Sequence, residues 1–177
     1  VFIAALLMCG LSANAQFLRK ETVLRDGWRF TRAENMSGTD AAQPGFNDRK
    51  WQEVSIPHDW AIAGPFDKEI DKQMVAIEQN GEKEATEKTG RSGSLPWIGS
   101  GWYRTSFNVD KDCARAILNF DGAMAEPEVY VNGKKVASNE YGYTGFEADI
   151  TKAVNYGGEN VVAVYSSTGP RNGSRWY

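Results

Sequence analysis

The sequence predicts an all-β protein, an antiparallel sandwich or jelly roll with one long charged loop. Aromatic residues make up 12% of the 177 positions, six of them are Trp, and 18 positions are Gly. This pairing favours a domain rich in strands and turns over a helical bundle. Short segments that alternate apolar and polar residues recur about every ten residues. Between two of them stands Asn132-Gly133, a strong hairpin signal because both turn positions accept a positive φ.

Residues 1–15 are expected to be an export signal. Val1–Leu7 is an unbroken apolar run, and Ala13-Asn14-Ala15 fits the small-x-small pattern of a cleavage site. The run is too short for a transmembrane helix, and a buried N-terminal helix or strand is the alternative. The segment does not begin with Met and has no basic start, so we expect it to be trimmed upstream. The mature domain, 16–177, is then expected in the periplasm or outside the cell, with Cys113 as its single cysteine and no internal disulfide.

Two strands are predicted ahead of the long loop. Glu21–Phe30 is strand-like and carries the turn signal Asp26-Gly27. Trp51–Ile56 alternates apolar and polar residues and stops at Pro57, as expected of a strand with one buried face. Between them, Ala33–Lys50 is polar, contains Gly and Pro, and is predicted to be a surface loop.

The long charged loop is assigned to residues 67–96. Ile70, Met74 and Ile77 have the i, i+4, i+7 spacing of an amphipathic helix, so a short helix is predicted over 69–79. The remainder has little to bury and is predicted to be a mobile excursion, since loops of this length are usually functional or disordered.

The sequence after this loop predicts a series of short strands. They cover Trp102–Val109, Arg115–Asp121, Glu128–Val131, Lys134–Ala137, Phe146–Ile150 and Val161–Tyr165.

Charge and composition argue against several classes of function. The net charge is −3 with both signs interspersed, so no basic stripe predicts a nucleic-acid partner and no polybasic segment predicts a membrane surface. The chain has a single histidine and no cluster of Cys and His. We therefore expect no metal site and no cofactor in this chain, and any cofactor of a full-length protein is unknown from this sequence.

The acidic residues do not supply a catalytic pair. Hydrolysis of a glycoside needs two carboxyl groups that face each other across the scissile bond. Glu126 and Glu128 lie at a strand entrance, and Glu147 and Asp149 share the outer face of a strand. All four are expected to be solvated, and no catalytic residue is assigned to this chain.

Five residues are candidate sugar contacts: Arg175, Trp176, Asp59, Trp60 and Trp97. A Trp ring offers a flat apolar face to a pyranose, and Arg donates hydrogen bonds to its hydroxyls. Trp97 precedes a Gly-rich run and is free to line a pocket. Asp59 and Trp60 either bind sugar or anchor their loop, whereas the neighbouring His58 is expected to hold that loop by hydrogen bonds.

Motifs in consistent order along the chain resemble the N-terminal sugar-binding domain of glycoside hydrolase family 2, and are most similar to exported bacterial β-galactosidases. They are Leu24–Phe30, Phe46–Trp51, Ile56–Trp60, Gly64–Asp67, Gly99–Arg104, Phe120–Gly122, Val129–Gly133, Tyr141–Phe146, Gly158–Val164 and Ser174–Tyr177. The resemblance covers nearly all of the mature chain.

The resemblance implies a jelly-roll, galactose-binding-like domain that precedes an immunoglobulin-like domain and a (β/α)₈ barrel. Both catalytic glutamates would lie in the barrel, and the loop matching Gly173–Tyr177 would reach the active site, which makes Arg175 and Trp176 substrate contacts. Two departures stand out. Ser166-Ser167-Thr168 replaces the usual Asp-Asn pair, and the chain stops before the family's Gly-rich turn and closing strand.

Three hypotheses follow. The first is a fragment of a retaining β-galactosidase-like hydrolase that binds carbohydrate beside a downstream barrel of the same polypeptide and is inactive alone. The second is a free-standing secreted carbohydrate-binding module without catalysis. The third is a structural β-domain of a surface assembly.

Overall fold

The computed structural model of the chain describes residues 19–33, 39–60, 62, 69, 72–89 and 99–168. Strands dominate this part of the chain, and the helical segments in it are two 3₁₀ turns, at Asp40–Ala42 and Glu78–Asn80. The strands are β1 (Trp28–Arg32), β2 (Gln52–Val54), β3 (Lys72–Val75), β4 (Thr86–Thr89), β5 (Ser100–Asn108), β6 (Ile117–Phe120), β7 (Glu128–Val131), β8 (Lys134–Ser138), β9 (Phe146–Asp149) and β10 (Glu159–Ser167).

A six-stranded antiparallel sheet is the main element, with the strand order β2-β1-β5-β10-β7-β8. The nine-residue strands β5 and β10 are paired along their whole length, from Ser100↔Ser167 to Asn108↔Glu159. The first residues of β5 therefore lie beside the last residues of β10, and this register determines which loops meet at that end of the sheet.

The sheet and the β6–β9 pair enclose the main core, which makes the domain an antiparallel β-sandwich as predicted. On β9, Ala148 is buried while Glu147 and Asp149 are exposed, and this alternation is the one the sequence predicted. Burial of apolar surface stabilises the two layers. The buried core residues are Trp28, Phe30, Val54, Trp60, Ala116, Val129, Val131, Ala148, Ile150, Val162 and Val164.

The opposite face of the large sheet is also covered. Ala41 and Ala42, in the 3₁₀ turn, are fully buried and belong to a cluster with Trp102, Tyr130 and Ala163. The prediction of a plain surface loop over 33–50 was therefore wrong for its centre. Two small alanines in a polar segment allow the turn to lie close against the sheet, and this is why the polarity of the segment was misleading.

The predicted helix over 69–79 was wrong, because the structure places strand β3 there. It pairs with β4 in an antiparallel hairpin, and Lys72 lies opposite Thr89. Met74, which the prediction placed on a buried face, is 65% exposed. The strands are held instead by opposite charges across the pair, since Lys72 Nζ lies 3.0 Å from Glu87 Oε2.

Within the region 67–96, the described residues 72–89 form a hairpin. Its turn, Glu78–Asn80, ends at Gly81, whose φ of 76° is in the left-handed region that favours glycine. The Asn132-Gly133 hairpin was predicted correctly, with φ values of 50° and 81° between β7 and β8.

Candidate functional site

The candidate site is the end of the large sheet where β5 begins and β10 ends. Backbone hydrogen bonds tie several segments together there. Thr168 N donates to Gly99 O at 2.8 Å, Ala33 N donates to Ser100 O at 2.7 Å, and Ser167 N donates to Ala125 O at 2.9 Å. These bonds bring Gly99, the end of β1 and the turn before β7 together at this end of the sheet, which we call the candidate edge.

Hydroxyl groups line this edge. Tyr165 Oη donates to Ser100 Oγ at 2.8 Å, and Ser100 Oγ lies 2.9 Å from Ser167 Oγ. Thr168 Oγ1 lies 3.2 Å from Gly99 O. A hydroxyl group can both donate and accept a hydrogen bond. This row of hydroxyls can therefore form hydrogen bonds with the hydroxyls of a sugar.

Ser166 plays a different part. Its side chain is buried, and its Oγ lies 3.1 Å from Met124 O and 3.0 Å from Ala125 O. This hydroxyl satisfies backbone carbonyls inside the fold. In the Ser166-Ser167-Thr168 segment, Ser166 therefore has a structural role, and the other two hydroxyls are at the edge.

Trp60 lies in an aromatic cluster beside the first residues of β5. Its ring is stacked on Phe30, with centroids 5.7 Å apart and planes 17° apart, and it lies 6.2 Å from the Tyr103 ring. The Trp60 side chain is 8% exposed. A Cβ at Gly101 would be 2.6 Å from Phe30 Cε2 and 3.2 Å from Trp60 Cζ3, so only glycine at this position allows the rings to cover the strand.

His58 fixes the loop that carries Asp59 and Trp60. Its Nδ1 lies 2.9 Å from Tyr103 Oη, and its ring centroid is 5.1 Å from that of Phe30. Burial lowers the pKa of His58, and the Asp59 carboxylate partly offsets that effect. Burial also raises the pKa of Tyr103, with a smaller contribution from Asp59. Both groups are therefore neutral at pH 7, and the expected structural role of His58 agrees with this contact.

The structure places two of the five predicted sugar contacts. Asp59 is exposed and directly precedes Trp60, which is buried. Trp97, Arg175 and Trp176 lie outside the described residues. The sugar contacts themselves stay predictions.

Sequence reasoning missed Ser100 and Tyr165 as site residues. The signal was present in the sequence, because Ser100 follows a Gly-rich run and Tyr165 ends an apolar strand. What the sequence lacked was the pairing of β5 with β10 that brings their hydroxyls within hydrogen-bond distance.

Glu128, one of the four carboxylates considered for catalysis, is held in hydrogen bonds. Glu128 accepts hydrogen bonds from Lys135 Nζ and Tyr130 Oη, each at 2.6 Å. The bond from Lys135 is the larger cause that lowers the pKa of Glu128, so this carboxylate stays ionised and cannot serve as a proton donor at neutral pH. Within the described ranges, no three Asp, Glu, His or Cys side chains are placed to share a metal ion.

The comparisons with known proteins decide the family. Residues 22–170 match the sequence model of the glycosyl hydrolases family 2 sugar binding domain. The chain belongs to this family. It is 37% identical over 161 residues to a β-galactosidase of Bacteroides ovatus, a match that covers 90% of this chain and 17% of the relative. A β-glucuronidase of Formosa agariphila is 26% identical over 139 residues, which is 77% of this chain and 12% of that protein.

A solved structure agrees with the family assignment. The crystal structure of a glycosyl hydrolase family 2 member from Bacteroides cellulosilyticus superposes with a TM-score of 0.60 and 28% identity, over 84% of this chain and 18% of that one. The chain thus spans less than a fifth of the length of these relatives. In the part of the chain that the structure describes, no helix is long and apolar enough to cross a membrane.

Proposed function

We propose that this chain is the sugar-binding part of a longer retaining glycosidase that acts on terminal β-galactosides. The observation that carries the proposal is the match to the β-galactosidase, which covers 90% of this chain but only 17% of the relative. Retaining hydrolysis uses two carboxyl groups about 5 Å apart, one as proton donor and one as nucleophile. We place both in a downstream barrel of the same polypeptide, and the chain alone is inactive.

In this proposal the candidate edge holds the sugar rather than cleaving it. Asp59 accepts hydrogen bonds from sugar hydroxyls, and His58 together with the Trp60 ring keeps its loop in place. Ser100, Ser167 and Thr168 supply neutral donors and acceptors on the other side of the edge. Trp97, Arg175 and Trp176 complete the set of contacts proposed from the sequence.

Kinetics of the longer protein test the proposal. The 177-residue chain should not hydrolyse a chromogenic β-galactoside, and the protein encoded by the extended reading frame should hydrolyse it. In that protein, Asp59→Asn should raise KM about tenfold, as expected for one lost charge-assisted hydrogen bond. Asp112→Asn is the matched control, because Asp112 is an exposed carboxylate in the turn after β5 ends, at the opposite end of the sheet. Turnover by the short chain that survives repurification would contradict the proposal.

The alternative is a carbohydrate-binding module without catalysis, and binding and hydrolysis measured on the same longer protein distinguish the two. Saturable binding of galactose by the longer protein, without hydrolysis of any β-galactoside or β-glucuronide, would favour a carbohydrate-binding module. The assay also separates galactosides from glucuronides, since relatives of both kinds share this domain.

Export is part of the proposal and rests on the apolar run and the Ala13-Asn14-Ala15 pattern. Mass spectrometry of the mature protein from its own cells should find Gln16 at the N-terminus. An intact segment 1–15 on the protein would contradict export through this signal.

A further inference from the structure

Exposed apolar side chains cluster next to the candidate site. Tyr141 is 48% exposed, Tyr143 is 59% exposed and Met124 is 41% exposed. The two tyrosine rings are 5.7 Å apart, with a 54° angle between their planes. Met124 precedes β7, and the two tyrosines lie in the loop between β8 and β9.

Close contacts join the loop that carries the two tyrosines to the segment that carries Met124. A Cβ at Gly142 would be 3.1 Å from Met124 Cγ and 3.2 Å from its Cα, so the two loops touch where Gly142 lies. Asn139 Nδ2 donates to Tyr141 O at 2.8 Å, and Asn139 N donates to Pro127 O at 3.1 Å.

The backbone two residues after Met124 has an unusual conformation. Glu126 has a φ of 44°, a left-handed conformation that a residue with a side chain rarely adopts. Asn132 also has a positive φ, but there the hairpin turn requires it. Such conformations concentrate at ligand-binding segments, where the surrounding structure holds them.

Ser166 joins this cluster to the candidate site. Its hydroxyl bonds to the carbonyl oxygens of Met124 and Ala125, and the next residue, Ser167, belongs to the hydroxyl chain at the sheet edge. The cluster and the candidate edge therefore lie side by side on the same end of the sandwich.

We propose that Met124, Tyr141 and Tyr143 form an aromatic platform that binds a second sugar unit of an oligosaccharide whose terminal unit occupies the candidate site. Aromatic rings and a thioether suit the C–H face of a pyranose, and the phenol groups reach its hydroxyls. Polar residues adjoin the three in sequence, with Glu126 two residues after Met124 and Asn139 and Glu140 directly before Tyr141, and recognition of a hydroxylated ligand needs such groups. This inference rests on the proposed function, because it extends the same binding site.

Binding of β-1,4-galactotriose to the 177-residue chain is the first test. Saturation-transfer NMR should show contact with the trisaccharide, and the double variant Tyr141→Ala/Tyr143→Ala should weaken binding about tenfold. The variant Tyr141→Phe/Tyr143→Phe keeps the rings and should retain most of the affinity. Tyr156→Ala is the matched control, because Tyr156 is an exposed tyrosine beside the start of β10, at the opposite end of the sheet. Equal affinity of the double alanine variant and the wild type would overturn the platform.

The longer protein separates failure of the platform from failure of the proposed function. The double alanine variant should raise KM for a chromogenic galactotrioside about tenfold and leave KM for the simple galactoside unchanged. If the wild type hydrolyses both and the variant changes neither KM, the platform is wrong and the hydrolase proposal stands. If the wild type hydrolyses neither, the hydrolase proposal fails. Protection of Tyr141 and Tyr143 from nitration in the sugar-free longer protein would show that polypeptide covers them, and would also overturn the platform.

Discussion

Arg104 is the buried cation that holds the outer layer on the large sheet. It is 3% exposed, its Nε donates to Asp48 Oδ2 at 3.0 Å, and its Nη1 donates to the carbonyls of Ala41 and Gln43. Arg104→Met would leave these acceptors unpaired and should lower the free energy of unfolding by about 3 kcal/mol in a urea titration. Arg115→Met is the control, because the ion pair of Arg115 with Asp149 is exposed and should contribute less than about 1 kcal/mol. Equal effects of the two substitutions would contradict the anchoring role.

His58 gives the domain a predictable dependence of stability on pH. Its pKa in the fold lies below its ordinary value of 6.5, chiefly because of burial. The unfolded chain therefore takes up a proton that the folded chain resists, so stability is full above pH 6.5 and decreases as the pH falls through the window below it. His58 is the chain's single histidine, and His58→Gln should flatten the decrease in melting temperature between pH 7 and pH 5. A decrease of the same size in the variant would assign it to other groups.

At the scale of elements, the contact between β5 and the loop after β2 depends on the absence of a side chain at Gly101. Gly101→Ala would place a Cβ 2.6 Å from Phe30 Cε2, which forces the Phe30 and Trp60 rings to move. We expect a loss of about 2 kcal/mol in stability and a shift of tryptophan fluorescence, measured by urea unfolding and emission spectra. Gly45→Ala is the control, because nothing lies within 4 Å of a Cβ there. An unchanged emission spectrum in Gly101→Ala would mean that the rings are not held by this contact.

The elements also show which signals in the sequence were sufficient. Asn132-Gly133 predicted its hairpin because the turn chemistry is local. The spacing of Ile70, Met74 and Ile77 predicted a helix, yet helical spacing stabilises a helix only when the apolar face has a surface to pack against. Met74 is mostly exposed, so pairing between β3 and β4 decided the structure instead.

At the scale of the whole molecule, the sandwich was predictable and the site was predictable only in part. The alternation of apolar and polar residues along a strand identifies which residues face inward, as at Ala148 and Ile150. This signal is local and does not require the order of the strands to be known. The site depends on strand order. The hydroxyls of Ser100 and Ser167 meet only because β5 pairs with β10, which are separated by more than fifty residues in sequence. No local pattern contains that pairing. The covered position of Trp60 depends on another long-range pairing, that of β1 with β5, which places Phe30 beside Tyr103.

The β3–β4 and β7–β8 hairpins should differ sharply in their effect on stability. Among the residues that the structure describes, neither hydrophobic cluster includes one from the β3–β4 hairpin, whereas Val129 and Val131 of the β7–β8 hairpin are fully buried. Replacing residues 72–89 by a short Gly-Ser linker should therefore leave cooperative unfolding intact and change stability by about 1 kcal/mol or less, because loop length alone affects closure entropy only slightly. Replacing 128–138 in the same way should abolish folding, as judged by circular dichroism and thermal melting. Loss of cooperative unfolding in the first variant would show that the charged hairpin is part of the folded core.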